Sequence, residues 1–547
     1  MTFDLVIRGG TVVDGTGAPP VRADVAVREG LIEAVGQLPE GVQSRTEIRA
    51  DGRLVLPGFI DIHSHSDFVL SDPDHEDILS CFLRQGITTL VTGNCGYAPA
   101  PVSPEHREGV LAYTAWLRSD GAGAAWPTFA AYLDDLEGAG VALNVVPLAA
   151  HGALRIAAMG FAKRAPSSDE WSTLTALLDE ALEAGAFGMS AGLAYAPGMY
   201  ADTDELVRLN ERVAAAGGLF TCHSRGISET LVEAMDEIVE VGRRTGVRAQ
   251  FSHLCALGER NWRLIPRAIE SLERARHAGV DIATDCQAYI AGNTTLTALL
   301  PPWAIEGGTE AIMARLTDPA TRALVRRWVE RERPRWPVEL GEWTDNMIDS
   351  LGYRNIRLLT VQHPDYARFE GGSLQDLAEG LGRDPFEATM DLLVADRGQS
   401  MMLVVGSAGD LRSDAPLREV LALPYTSMET DAVVTGHGSP NRGAHGAFPR
   451  FLAHFARDER LMGIGRAVHQ MTGLSADRLG LSRTGRIRRG CAADLVVVDQ
   501  DRLADTTSYT DTESTPSGVE QVLVNGHAVV RDGVYRPGRH GIVYRRG

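Results

Sequence analysis

The sequence predicts an α/β fold: a (β/α)8, TIM-like barrel, with a small β-sandwich domain built from both chain ends and a lid inserted late in the barrel. Three observations predict it. Both ends read as short strands, the middle alternates apolar runs with amphipathic stretches, and one gap in that alternation is too long for a single repeat. At 547 residues and 44% hydrophobic, the chain exceeds the usual size of one domain and can bury such a core.

Residues 4–8, 21–27, 31–35 and 44–56 read as strands separated by Gly, Pro and Asp turns, and "GCAADLVVVDQD" and "VEQVLVNGHAVVRDGV" repeat the pattern near the C-terminus. Few-stranded pieces are marginal alone, so 1–56 and 485–547 are expected to join in one β-domain. Between them, over 57–484, barrel strands are expected to end near His63, Asn94, His151, Gly192, His223, His253, Asp285 and Asp431. "TLTALLDEALEAG" and "ISETLVEAMDEIVEVGRRTG" carry apolar residues at helical spacing and end in Gly, a helix stop. The stretch from Asp285 to Asp431 holds Trp303, Trp328, Trp336, Trp343 and an Arg/Glu-rich helix at 318–333; about 294–375 is expected to be the insertion. Its tryptophans either give a lid apolar surface or pack the insert's own core.

The net charge of −19 argues against nucleic acid or an anionic membrane as partner, since both need a basic face. No run approaches 18 apolar residues, so no bilayer span is expected. The start, "MTFDLVIRGGTVVDG", alternates like a strand and lacks the basic head and apolar core of a signal peptide, which points to the cytoplasm. Six scattered cysteines without a CxxC are expected to stay reduced. The expected partner is a small-molecule substrate, and a homo-oligomer is compatible with the sequence.

The chemistry gathers at strand ends. "PGFIDIHSHSD" puts His63 and His65 two apart, so both imidazoles face one side of the first barrel strand. His223 in "GLFTCHSRG", His253 in "AQFSHLCA" and Asp431 in "YTSMETDAV" each close a later apolar run. Strand C-termini converge at a barrel mouth, where active sites sit. His223 and His253 alone are each as readily a hydrogen-bonded core group, and a helix cap is the lesser alternative for Asp431. "TLVTGNCGYAPAP" ends a buried run in Cys95, either a packed thiol or a metal thiolate. A thiolate is a good zinc ligand, and one Cys with two His and an open position is a known catalytic set.

The order His-x-His, His, His, Asp from strands one, five, six and eight resembles the amidohydrolase superfamily. "PGFIDIHSHSD", "GITTLVTGNCGYAPAP", "GLAYAPG", "QFSHL", "NW" at 261–262 and "RGAHGAFPRFL" more specifically resemble the N-acyl-D-amino-acid deacylases, also called D-aminoacylases. The resemblance implies that Cys95 replaces the carboxylated lysine of strand four used by many dinuclear relatives. The single lysine, Lys163, lies well before that strand. It further implies one tight zinc on Cys95, His223 and His253, a weaker or empty second site on His63, His65 and Cys95, and Asp431 as general base and then general acid toward a metal-bound water. The implied reaction is hydrolysis of a linear amide, releasing the acyl group from an N-acyl-D-amino acid or related N-acyl amine.

At the positions that clamp the substrate carboxylate in that family, this chain has Cys255, Gln287, Asn293 and Arg442. Only the arginine is retained, and a thiol stands where the family has a lysine. Tyr195 matches a pocket tyrosine that would hold the polarised carbonyl, or is a rim aromatic, and His151 is expected to line the pocket. Two alternatives stay open: a cyclic-amide hydrolase of the hydantoinase or dihydroorotase kind, and a catalytically silent scaffold of the same fold.

Overall fold

A computed structural model describes residues 2–123, 126–337 and 342–546. Its centre is a ring of eight parallel strands: β1 (Phe59–Asp61), β2 (Ile87–Thr92), β3 (Asn144–Pro147, carried on by Ala149–Ala150), β4 (Gly188–Gly192), β5 (Leu219–His223), β6 (Arg248–Phe251), β7 (Ile282–Cys286) and β8 (Thr426–Met428). Each pairs with the next in chain order. The ring closes just beyond β1 and β8, where Ser64 bridges Ala432, His65 N donates to Ala432 O at 3.0 Å and Asp431 N donates to His63 O at 3.0 Å. Nearly every strand residue is buried. Parallel strands covered on both faces read as continuous apolar runs, which is why the sequence shows runs and not alternation here.

The helices follow local rules. Ser168–Ala184 opens with a capping box between Ser167 and Glu170 and stops at left-handed Gly185. Pro319–Arg331 is capped by Asp318, whose carboxylate accepts from Thr321 N at 2.8 Å. The helix read from "ISETLVEAMDEIVEVGRRTG" starts only at Leu231; upstream of it the backbone N–H groups of Ile227 and Ser228 donate to the Asp345 carboxylate at 2.9 and 2.7 Å.

The two ends of the chain share one nine-stranded sheet. The stretch expected as one strand over 44–56 breaks at Asp51 and Gly52, the latter with φ +72°, into Ser44–Arg49 and Leu54–Pro57. Both pair in parallel with different parts of Phe3–Val12, so the sheet branches there. Leu54–Pro57 then runs antiparallel to Leu495–Val498, and alternate residues of both arms, such as Ile7, Val25, Val55, Leu495 and Val497, meet in one core.

Between β7 and β8 an excursion builds its own antiparallel sheet from Ala291–Thr295, Ile356–Thr360 and Met401–Val405, with the last in the middle. It therefore exceeds the expected 294–375, since its central strand arrives latest in the chain. Trp303, Trp328 and Trp343 pack on one another at ring-centroid distances of 6.1 and 6.4 Å, inside the excursion. No helix among the described residues is long and apolar enough to cross a membrane.

Barrel and β-domain are joined by a buried polar knot. Asn144 of β3 donates to Asp494 Oδ2 at 3.0 Å and accepts from Asn525 Nδ2 at 2.9 Å, while Asp494 Oδ1 accepts from Asn525 N at 2.8 Å. Burial pushes the Asp494 carboxyl up to about 6, against these hydrogen bonds. Asn144→Leu strands a buried donor and acceptor and should cost about 1–3 kcal/mol, read as a lower urea midpoint; an unchanged midpoint would show that the knot contributes nothing.

Candidate metal centre and active site

Cys95 sits one turn beyond β2. Its backbone is left-handed (φ 52°), between Gly93 and Gly96, also at positive φ. A Cβ on Gly93 would meet Leu148 O at 2.2 Å, and one on Gly192 would meet Cys95 O at 2.0 Å, so the turn fits only because both are glycine. Asn94 donates to Val91 O at 3.0 Å, and Ser190 Oγ accepts from Gly96 N at 3.0 Å while donating to Gly93 O. The buried sulfur so presented lies 3.2 Å from His63 Nε2, 3.6 Å from His223 Nδ1 and 3.8 Å from His253 Nε2.

Asp431 completes the group, with Oδ1 3.4 Å from His65 Nε2 and 3.6 Å from His63 Nε2. Eight non-glycine residues have positive φ among the described residues, and three are Cys95, His253 and Asp431. Such backbones cost about 1–3 kcal/mol each and persist where the surroundings hold them. Asp285 of β7 supplies one such hold: its carboxylate accepts from His253 N at 2.6 Å and from Gln250 Nε2 at 2.9 Å. Asp61 supplies another across the barrel closure, accepting from His63 N, Thr430 N and Thr430 Oγ1 at 3.2, 3.0 and 2.5 Å.

The electrostatics call for a cation. Burial, then the charges of Asp431, Glu429 and Asp285, push the Cys95 thiol well up. Burial and the neighbouring rings push His223 well down, leaving a neutral imidazole with a free lone pair. Burial opposes ionisation of Asp431, but His65, His63 and His253 outweigh it and hold the carboxyl low. A buried thiol facing imidazole nitrogens and carboxylates is a poor core packing and a good divalent-metal donor set. Three sets of residues each bring their own donor atoms within 4.8 Å of one another: His63, Cys95 and His253; His63, His65 and Asp431; His63, Asp285 and Glu429. His223 joins through its contact with Cys95.

Above these donors opens a cleft whose lining includes Tyr195, Cys255, Gln287 and Asn293. Tyr195 and Thr294 hydroxyls are bonded at 2.9 Å, and Asn293 Oδ1 accepts from Asn441 Nδ2. Two expected pocket residues lie elsewhere. Arg442 is stacked between the rings of Tyr289 and Tyr509 and pairs with Asp505 at 3.0 Å. His151 begins a helix and is buried against Glu205, Nε2 to Oε1 2.8 Å, beside Arg155. Its place at the end of β3 is as read, but Glu205 draws the ring away from the cleft. Conversely, Asp285, Glu429, Asp61, Tyr97, Trp116 and Thr294 belong to the site without standing out in the sequence as site residues. For Glu429 a signal existed: "ETD" puts two carboxylates at period two, on one face.

The amidohydrolase family is matched over residues 46–530. The chain belongs to this family. Two similar amidohydrolases, both from Alcaligenes xylosoxydans xylosoxydans, are an N-acyl-D-glutamate deacylase, 32% identical over 98% of this chain and 96% of the relative, and a D-aminoacylase, 29% identical over 100% and 98%. A solved N-acyl-D-glutamate deacylase from Bordetella bronchiseptica, complexed with zinc and a phosphonate mimic of the tetrahedral intermediate, superimposes with TM-score 0.82 at 29% identity, covering both chains fully. An L-hydantoinase from Arthrobacter aurescens, 15% identical with TM-score 0.57 and full coverage of both chains, shares the fold. As an amidohydrolase the protein is a metal-dependent hydrolase of amide bonds, and the buried donor set fits that metal.

Cys95→Ala should leave the fold intact and lower bound metal at least tenfold, read by metal analysis of folded protein; full metal content would make the sulfur a packing group. Glu205, raised by burial but held at about 2 by His151 and Arg155, stabilises the fold above pH 4.5 and loses that effect as pH falls toward 2. Glu205→Gln leaves Arg155 buried and unpaired and should cost about 3–5 kcal/mol at pH 7. Urea midpoints of the two proteins should converge below pH 4.5.

Proposed function

We propose that this amidohydrolase is a zinc enzyme that hydrolyses a linear amide C–N bond, releasing the acyl group from an N-acyl-D-amino acid or related N-acyl amine. One observation carries the reading: the Cys95 sulfur lies within 3.2–3.8 Å of three imidazole nitrogens, with Asp431 alongside, at the base of a largely apolar cleft. Sulfur with nitrogen donors favours zinc. Cys95, His223 and His253 are proposed to hold the tight ion, and His63 and His65, with Cys95, a weaker second one. The acyl-D-amino-acid deacylases among the similar proteins support this choice of bond and substrate class.

A divalent ion on these residues supplies a Lewis acid and makes water acidic enough to attack an amide at neutral pH. Asp431, kept ionised by the imidazoles around it, takes the proton of the attacking water and passes it to the departing nitrogen. With Thr294 as the donor in the 2.9 Å hydroxyl pair, Tyr195 donates a hydrogen bond to the amide carbonyl oxygen, and burial keeps the proton on the phenol. The aromatic walls exclude bulk water from the reacting amide.

Asp431→Asn should keep its zinc and lose about 10²–10⁴-fold in kcat, the scale of a proton-transfer group. Metal analysis and turnover of N-acetyl-D- and N-acetyl-L-amino acids, their amides and uncharged N-acyl amines measure this. Wild-type turnover in the variant would remove Asp431 from the mechanism.

A further inference from the structure

The cleft over the metal donors is lined by no lysine or arginine side chain. Its walls are the rings of Tyr97, Trp116, Tyr195 and Tyr289 with Met347, Val404 and Val433. A second, smaller space shares Cys95, Tyr97 and Tyr195 with it and continues between Gly96, Ala98, Val110 and Ile156, with no Lys, Arg, Asp or Glu in its lining. No lysine or arginine lines either space. Every lysine and arginine of the chain falls within the described residues, so none is left to supply one.

Arg442, the cation expected there, is already satisfied. Its Nη2 pairs with Asp505 at 3.0 Å and donates to Thr507 O at 2.7 Å, its Nε donates to Thr507 Oγ1 at 3.0 Å, and Tyr289 and Tyr509 cover its faces. What faces the cleft is negative or neutral: Asp431, with Glu429 and Asp285 behind His63, and the amides of Gln287 and Asn293. The one tight divalent ion is balanced by the Cys95 thiolate and the Asp431 carboxylate, and Asp285 and Glu429 are the acidic groups nearest to offset a second. A chain of net charge −19 adds a field that repels one. A carboxylate brought in here loses its water and meets no countercharge.

We infer that the substrate carries no carboxylate: it is an N-acyl amine uncharged on both sides of the scissile amide, apolar or aromatic in bulk, with at most a neutral hydrogen-bonding group for Gln287 and Asn293. This narrows the deacylase reading of the site and rests on it. Asn293 has its oxygen engaged by Asn441, so its NH2 is oriented to donate, as a neutral carbonyl requires.

The test uses full-length zinc-loaded Asp431→Asn protein and calorimetry with N-acetyl-D-phenylalanine and its primary amide. Removing the Asp431 charge favours only the acid, so the comparison is biased against the proposal. The amide is expected to bind at least tenfold more tightly, and wild-type kcat/KM to follow the same order. Gln287→Lys, nearly equal in length, is expected to shift the acid-to-amide ratio at least tenfold toward the acid. Equal or tighter binding of the acid overturns the inference, as does an unchanged ratio in Gln287→Lys. Tight amide binding with no wild-type turnover of either compound would remove the deacylase reading and leave only the preference of the cleft for an uncharged ligand standing; turnover of the acid alone would keep the deacylase reading and overturn the inference. Absence of binding by both compounds overturns both.

Discussion

A sulfur atom buried among imidazoles and carboxylates has to be forced into place, and much of the barrel's mouth works to that end. The left-handed turn at Cys95 exists because Gly93 lets β2 pass against Leu148 O and Gly192 lets β4 pass against Cys95 O. The same cost recurs at His253 and Asp431, whose backbones are also left-handed and are pinned by Asp285 and by the β1–β8 closure. Three strained residues on three separate loops are tolerable only on a rigid frame. The closed parallel ring provides it, since every strand end is fixed by neighbours on both sides.

The donors arrive from β1, β2, β5, β6 and β8, and each is legible as a polar residue at the end of an apolar run. That is why His63, His65, Cys95, His223, His253 and Asp431 stand out of the sequence: burial of strands in a parallel barrel makes the runs, and convergence makes the site. Residues whose role depends on packing partners far along the chain are not legible in this way. Arg442 reads as a cleft cation until Asp505 and Tyr509 are seen to hold it, and His151 reads as cleft lining until Glu205 is seen to claim its ring. Asp285 was visible as a strand end, but its task, holding the backbone of His253, is a matter of spacing across β6 and β7.

Boundaries follow the same logic. The break at Asp51–Gly52 is a turn signal inside a run otherwise read as one strand, and it creates the branch of the terminal sheet. The excursion after β7 extends past the expected 294–375 because Met401–Val405, an apolar run like any barrel strand, pairs with Ala291–Thr295 and Ile356–Thr360 instead. Hydrophobicity marks a strand as buried; only pairing says in which sheet.

The pairing of Leu54–Pro57 with Leu495–Val498 carries a consequence for how the molecule is made. About 440 residues separate these partners, so during synthesis at roughly 5–20 residues per second the earlier strand waits on the order of 20–90 s with one edge open. Over that interval the nascent barrel is translated and can begin to close beside an unfinished sheet, exposing Val55 and Leu56 to whatever else offers a strand. The small domain is thus the last part to mature.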